Sequence, residues 1–243
     1  MQIPPFRPRT VPELLDAAFQ MVRARFKELA LVTLVILFPA LVLQLALPPE
    51  WTALGTWVQS VLQNYATAAA VLIVSDAYLG RGSDVKGVLR RTLDRFGSIF
   101  GAAFVQGFLI GLGTLLCVVP GIIAAIVTFA MPMAVVLEGK TAMEAYERSK
   151  VLARDQWGRI AGAYILAFLL ALLAGGGIGV AAALLGGNVL GTVMEMLANV
   201  VFTPFTAVVG TLLYYDIRIR KEAFDLEMLL GAVDGPAAPA PAM

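Results

Sequence analysis

Six long apolar stretches, near residues 29–47, 53–78, 97–119, 121–137, 160–185 and 189–215, constrain this chain more than any other feature. About 20 apolar residues rising 1.5 Å each cross the roughly 30 Å of bilayer hydrocarbon. In that solvent the backbone must satisfy its own hydrogen bonds, which helices do. Composition agrees: 59% of the 243 residues are apolar and 14% are charged, against about 25% charged in ordinary soluble chains. A soluble domain of this size cannot hide that much apolar surface. The stretches predict an all-α polytopic membrane protein with six transmembrane helices. Pro39, Pro132 and Pro204 fall inside spans, where neighbouring helices take up the freed carbonyls. The run at 29–47 reads as an uncleaved first span, because it is long for a signal peptide and no small-x-small site follows it.

The 18 basic residues set the orientation. Arg7, Arg9, Arg23, Arg25 and Lys27 precede the first span, and Arg81, Lys86, Arg90, Arg91 and Arg95 follow the second. Lys140, Arg148, Lys150, Arg154 and Arg159 lie between the fourth and fifth, and Arg218, Arg220 and Lys221 follow the sixth. An even number of spans puts all of them on one face, which the positive-inside bias makes cytoplasmic, with both termini. Net charge is +1, so charge balance points to no nucleic-acid partner.

Sliding the chain against itself shows three related units, about 10–79, 80–139 and 140–222. At an offset of 131, Thr10-x-x-Glu13 falls on Thr141-x-x-Glu144 and Phe26 on Trp157; at an offset of 70, Arg25 and Phe26 fall on Arg95 and Phe96. The Thr-x-x-Glu pattern is a capping box that starts a helix. In the middle copy it is broken, because Ser83 is followed by Lys86 rather than an acid. Each unit reads as an amphipathic interfacial helix, an aromatic at the membrane edge (Phe26, Phe96, Trp157) and a two-span hairpin, giving a pseudo-threefold repeat. Residues 1–9 are Pro-rich and expected to be flexible. The membrane domain covers 10–230, and the Ala/Pro tail 231–243 is expected to be disordered.

The second span of each unit ends in an acid followed by a base: Asp76 and Arg81, Glu138 and Lys140, Asp216 and Arg218. An acid at a helix C-terminus opposes the macrodipole, so each needs a cation. The partner is either a base on a neighbouring unit's surface helix or the adjacent loop's own Lys or Arg. Polar residues inside spans are the other candidates. Gln59 and Gln63 share one face of the second span, Glu195 and Asn199 one face of the sixth, and Gln106 lies in the third. They either line a polar cavity between spans two, three and six, or bridge helices, with Glu195 reaching the outer surface or protonated.

Catalytic and metal chemistry find little support. There is no histidine and a single cysteine, Cys117, and a membrane-embedded Ser–His or Ser–Lys pair is missing. Asp76 and Asp216 lie at span ends without the GxGD motif of aspartyl intramembrane proteases. No catalytic residue, cofactor or metal is expected.

Three segments, 11–19 (VPELLDAAF), 119–123 with 131–139 (VPGII, MPMAVVLEG) and 213–227 (LYYDIRIRKEAFDLE), together resemble the glycerophosphoryl diester phosphodiesterase membrane-domain family, which is similar to the YciC-like bacterial inner-membrane proteins. The resemblance covers roughly 10–230. It implies the fold and a bacterial inner-membrane location, without the hydrolase, which in that family is a separate domain. The expected role is a non-enzymatic, envelope-organising scaffold. Its expected partners are anionic lipid head groups, through the basic interfacial helices, and a protein partner or a second copy of the chain. The alternative is a small transporter or channel component binding a solute, ion or lipid head group in the polar cavity.

Overall fold

The computed structural model describes residues 9–82, 84–184 and 189–222, the side chains of 49, 171 and 173–184 excepted. The expected tail at 231–243, Ser83 and most of the opening segment 1–9 lie outside the described residues. Within them the chain is helical and contains no strand. Five helical segments are long and apolar enough to cross a bilayer: Val11–Ala46, Thr52–Tyr78, Phe96–Leu116, Val118–Glu138 and Val189–Glu222. The remaining expected span, 160–185, falls on the helix Trp157–Leu184, whose described apolar part is the shorter Trp157–Leu170.

Helix α1 (Val11–Ala46) starts at a complete capping box, with the Thr10 N–H donating to Glu13 Oε2 at 2.8 Å. The expected surface helix and first span form this one helix, bent where Arg25 leaves helical geometry at φ −114°, ψ 19°. After α2 (Thr52–Tyr78), α3 (Val85–Asp94) is capped by Asp84, whose carboxylate accepts from the Gly87 N–H at 3.3 Å. The middle unit therefore keeps an N-cap, carried by an aspartate where the sequence pattern showed a broken box. Helix α3 gives way to α4 (Phe96–Leu116) through Arg95 at φ −106°, ψ 19°, almost the backbone of Arg25.

Helix α5 (Val118–Thr128) folds back on α4. A Cβ on Gly113 would stand 2.9 Å from the backbone of Pro120 and Gly121, so the turn needs glycine there. The expected fourth span breaks at Phe129–Ala130 and resumes as α6 (Met131–Glu138). Pro132 has no N–H to give the Thr128 carbonyl, which cuts the helix at this point. Helix α7 (Ala142–Ala153) begins at the second capping box, with the Thr141 N–H donating to Glu144 Oε2 at 2.9 Å. It leads through Asp155, at φ 63°, into α8 (Trp157–Leu184). Helix α9 (Val189–Glu222) continues beyond the expected end at 215 and carries Arg218, Arg220 and Lys221 in helical geometry.

The core lies towards the end of the bundle that carries the basic residues. Residues 65–78 of α2 are almost all buried except for Thr67, as are 207–217 of α9, with Met131 and Met133–Val136 of α6 between them. A helix apolar on every side belongs in the middle of a bundle, and these three segments are ringed by the others. At the opposite end the turn of the α4–α5 hairpin is exposed. Only 17% of the apolar window of α4 is buried, and Leu115 is 84% exposed.

Candidate functional site

The sequence-predicted polar residues divide between two places. Gln59 and Gln63, one turn apart on α2, meet Glu195 and Asn199, one turn apart on α9, because the two helices run side by side in the same direction. Gln59 Nε2 donates to Glu195 Oε1 at 3.2 Å and Gln63 Nε2 to Asn199 Oδ1 at 3.4 Å. Gln44 of α1 donates to Gln59 Oε1, and Gln63 also donates to the Thr203 hydroxyl. The result is a polar seam binding α1, α2 and α9 by side-chain amides. It encloses a cavity of about 10 Å³, about one water's worth of probe volume. Glu195 lies at its exposed edge.

Gln106 is not part of that seam. From α4 its Nε2 donates to the Thr128 carbonyl at 3.2 Å and the Thr128 hydroxyl oxygen at 3.3 Å. The Thr128 carbonyl is the one that Pro132 leaves without its helical partner. Ser149 of α7, fully buried, completes the repair. Its hydroxyl donates to the Val127 carbonyl at 2.6 Å and accepts from the Ala130 N–H at 3.0 Å. A single cavity lined by all five predicted residues is therefore not what the fold builds. Four share a closed seam, and Gln106 serves the break between α5 and α6.

The three repeat-end acids collect arginines. Asp76 takes Arg91 of α3 in two hydrogen bonds, at 2.5 and 3.5 Å. Glu138 takes Arg148 of α7 through Nε at 2.9 and 3.0 Å, and Tyr214 of α9 donates its hydroxyl to the same carboxylate. Both acids are thus gripped from the amphipathic helix that follows, while the adjacent Lys140 stays 3.9 Å from Glu138. Arg148 also spans to Glu222 at 2.8 Å, and Arg218 joins Glu222 at 2.9 Å. The Glu222 hydrogen bonds, with those of Glu138, outweigh burial and raise the Arg148 guanidinium pKa, keeping it firmly charged.

Asp216 is 3% exposed and closes the circle. Its Oδ1 accepts from the backbone N–H of Arg9 at 2.7 Å, and its Oδ2 from Arg159 at 2.8 Å and Arg220 at 2.9 Å. Arg159 and Arg220 also donate to the Arg9 carbonyl. The residue just before α1 is thereby fixed to the last helix, although it belongs to a segment expected to be flexible. The Arg9 guanidinium lies 6.0 Å above the Tyr78 ring.

The three edge aromatics each follow a break in helical backbone and are half exposed: Phe26 43%, Phe96 53% and Trp157 45%. Phe96 stacks on Tyr65 at 4.8 Å, and the Tyr65 hydroxyl donates to the Phe96 carbonyl at 2.7 Å. Arg9, Arg91, Arg148, Arg159, Ser149 and Tyr214 carry these arrangements without having stood out in the sequence. The one available signal was an unpaired acid at each span end, which asked for a cation without saying which.

Comparison of the chain with protein-family models, with curated proteins and with solved structures finds no match.

Proposed function

We propose that this is a non-enzymatic, multi-pass protein of the bacterial inner membrane with both termini in the cytoplasm. It comprises six spans in three hairpins, each introduced by an interfacial helix, and serves as an envelope-organising scaffold. The observation that carries the reading is where the polar chemistry goes. Asp76, Glu138 and Asp216 each tie the end of one hairpin to the start of another unit, at α3, at α7 and at Arg9. The amides of the α2–α9 seam are spent on each other. A solute path past Gln59, Gln63, Glu195 and Asn199 would need room that the seam, at about 10 Å³, does not have.

The near-identical backbone at Arg25 and Arg95, each followed by an edge aromatic, supports the three-unit repeat. The gathering of arginines at one end of the bundle supports a cytoplasmic face there. That face meets anionic lipid heads through residues such as Arg91, whose side chain stays 47% exposed. The resemblance to the glycerophosphoryl diester phosphodiesterase membrane-domain family implies this fold and location and brings no activity with it.

The test is Glu195→Gln with Glu195→Ala, read by growth under envelope stress, solute flux in proteoliposomes and native mass spectrometry of gently extracted protein. A scaffold tolerates Glu195→Gln in all three and retains a stoichiometric protein partner or a second copy. Folded Glu195→Ala protein that loses a solute flux present in the parent would overturn the scaffold in favour of transport.

A further inference from the structure

A second cavity, unrelated to the seam, opens between the α4–α5 hairpin and the rest of the bundle. It has a volume of about 490 Å³, within the roughly 300–1,000 Å³ of small-molecule sites. None of its described lining residues is charged. Its walls are apolar, with Ile126 of α5 and Ile160 of α8 among them, and its polar groups are Asn64, Thr67, Gln106, Tyr164 and Thr206.

Most of the donors are already used. The Thr67 and Thr206 hydroxyls donate to carbonyls of their own helices. Asn64 gives its Nδ2 to the Ser60 carbonyl at 2.8 Å, a partner that can only accept, which fixes the amide's orientation, and its Oδ1 has no partner among the described residues. Gln106 is fixed the same way. Thr128 spends its own hydroxyl proton on the Ala124 carbonyl, so the Gln106 amide must donate there, and its Oε1 has no partner among the described residues. The Tyr164 hydroxyl also has no partner among the described residues. Gly210 clears space beside it, since a Cβ there would stand 2.9 Å from that oxygen and collide with Met133 Cε. The cavity therefore offers two free amide oxygens and one phenolic hydroxyl that can donate or accept.

We propose that this cleft binds an uncharged lipid whose head is a hydroxyl. Such a head donates one hydrogen bond to an amide oxygen and accepts one from Tyr164, which matches what the cavity has left. Tyr164 is seven residues into α8 from Trp157, about 10 Å along the helix. A hydroxyl head can sink to that depth, whereas a phosphate would lie without a countercharge in an uncharged cleft. The inference rests on the membrane reading above, and prenols and diacylglycerols share the required chemistry.

The experiment places the full chain in phosphatidylcholine nanodiscs doped with a photoactivatable hexadecanol, its methyl ether or hexadecyl phosphate. The alcohol is expected to label peptides covering 122–126 and 160–165. The ether and the phosphate should label them at least about fivefold less, the worth of one hydrogen bond. Tyr164→Phe, which keeps the ring, should reduce alcohol labelling by about fivefold, and Ala161→Phe, which fills the cleft, should abolish it. Equal labelling by all three probes, or labelling indifferent to Ala161→Phe, overturns the proposal. The mass of a lipid retained through gentle extraction tells a prenol from a diacylglycerol, and a phosphorylated lipid bound there instead overturns the assignment. Labelling confined to the outward face of α4 refutes the cleft alone, whereas release of the protein by alkaline carbonate refutes the membrane reading and the cleft with it.

Discussion

Replacing Asp216 by asparagine isolates the contact that joins the two ends of the fold. The carboxylate uses one oxygen for the Arg9 N–H and the other for Arg159 and Arg220. Asparagine has a single acceptor oxygen, so its NH2 must face either the Arg9 amide or the two guanidinium groups. Either way Arg159, only 17% exposed, loses the one ion pair it makes among the described residues. Removing one partner of a buried pair costs about 3–5 kcal/mol. Arg220 is 33% exposed and water screens it, which puts the loss near the lower end, about 3 kcal/mol. For a chain of this length that corresponds to a fall in Tm of about 6–12 °C, measured on protein in nanodiscs. A local readout accompanies it. Both the N–H and the carbonyl of Arg9 are held by this cluster, so trypsin should cut after Arg9 faster in Asp216→Asn than in the parent. Adding Arg159→Met removes the stranded charge and should recover part of the loss, a coupling that a double-mutant cycle reads directly. A Tm change below about 2 °C with unchanged cleavage at Arg9 would refute the idea that Asp216 closes the fold.

Gly113→Ala drives a methyl group into the backbone of Pro120 and Gly121 and should cost about 1–3 kcal/mol, seen as a lower Tm and altered labelling of Cys117. Ser149→Ala strands the Ala130 N–H and the Val127 carbonyl. The expected loss is about 2 kcal/mol or more, with faster amide exchange at 127–131 as the check. At Glu144 the Thr141 backbone N–H holds the carboxyl below its ordinary value of 4.5. Its contribution is therefore complete above that value and disappears as pH falls through the lower folded one. Amide protection in the first turn of α7 should fall with pH in this window, and Glu144→Gln should abolish the dependence.

What could be read in the chain beforehand was what neighbouring residues decide among themselves. Thr10-x-x-Glu13 and Thr141-x-x-Glu144 cap helices because every participant lies within one turn. The cap at Asp84 obeys the same physics, but its acceptor is the N-cap residue alone, with glycine in place of glutamate three residues on. A search for the reciprocal box passes over it. Contacts that reach across the fold were legible only as demands. Asp216 needed a cation, yet nothing local pointed to a backbone N–H 207 residues away. Gln106 looked like a partner of the other four polar residues because one of its acceptors, the Thr128 carbonyl, is freed only where Pro132 breaks the helix packed against it. The kink at Arg25 was hidden for a different reason. The residues on both sides favour helix, so the chain gives a single helix a bend where two elements were expected.

The distribution of strong contacts explains why a cleft remains between the second hairpin and the rest of the bundle. At the basic end each unit is locked by a carboxylate with an arginine or a backbone amide, and Arg95 adds a 3.0 Å hydrogen bond to the Val135 carbonyl. At the opposite end α1, α2 and α9 are joined by the amide seam, and among the described residues α4 and α5 contribute no side chain to it. Gly113 and Gly121 hold α4 and α5 to each other, not to the bundle. Transmembrane helices have no hydrophobic drive to close on each other, so a hairpin whose polar ties to the bundle, Tyr65 to Phe96 and Ser149 to Val127, lie far from its turn can leave a cleft beside it. Linking it to them should therefore close the cleft. Cysteines introduced for Ile126 and Ile160, both of which line the cleft, and joined by a short reducible cross-linker should exclude the hexadecanol probe, and cleaving the linker should restore labelling. If the cross-linked protein still took up the alcohol at 122–126, the hairpin's separation would not be what admits it.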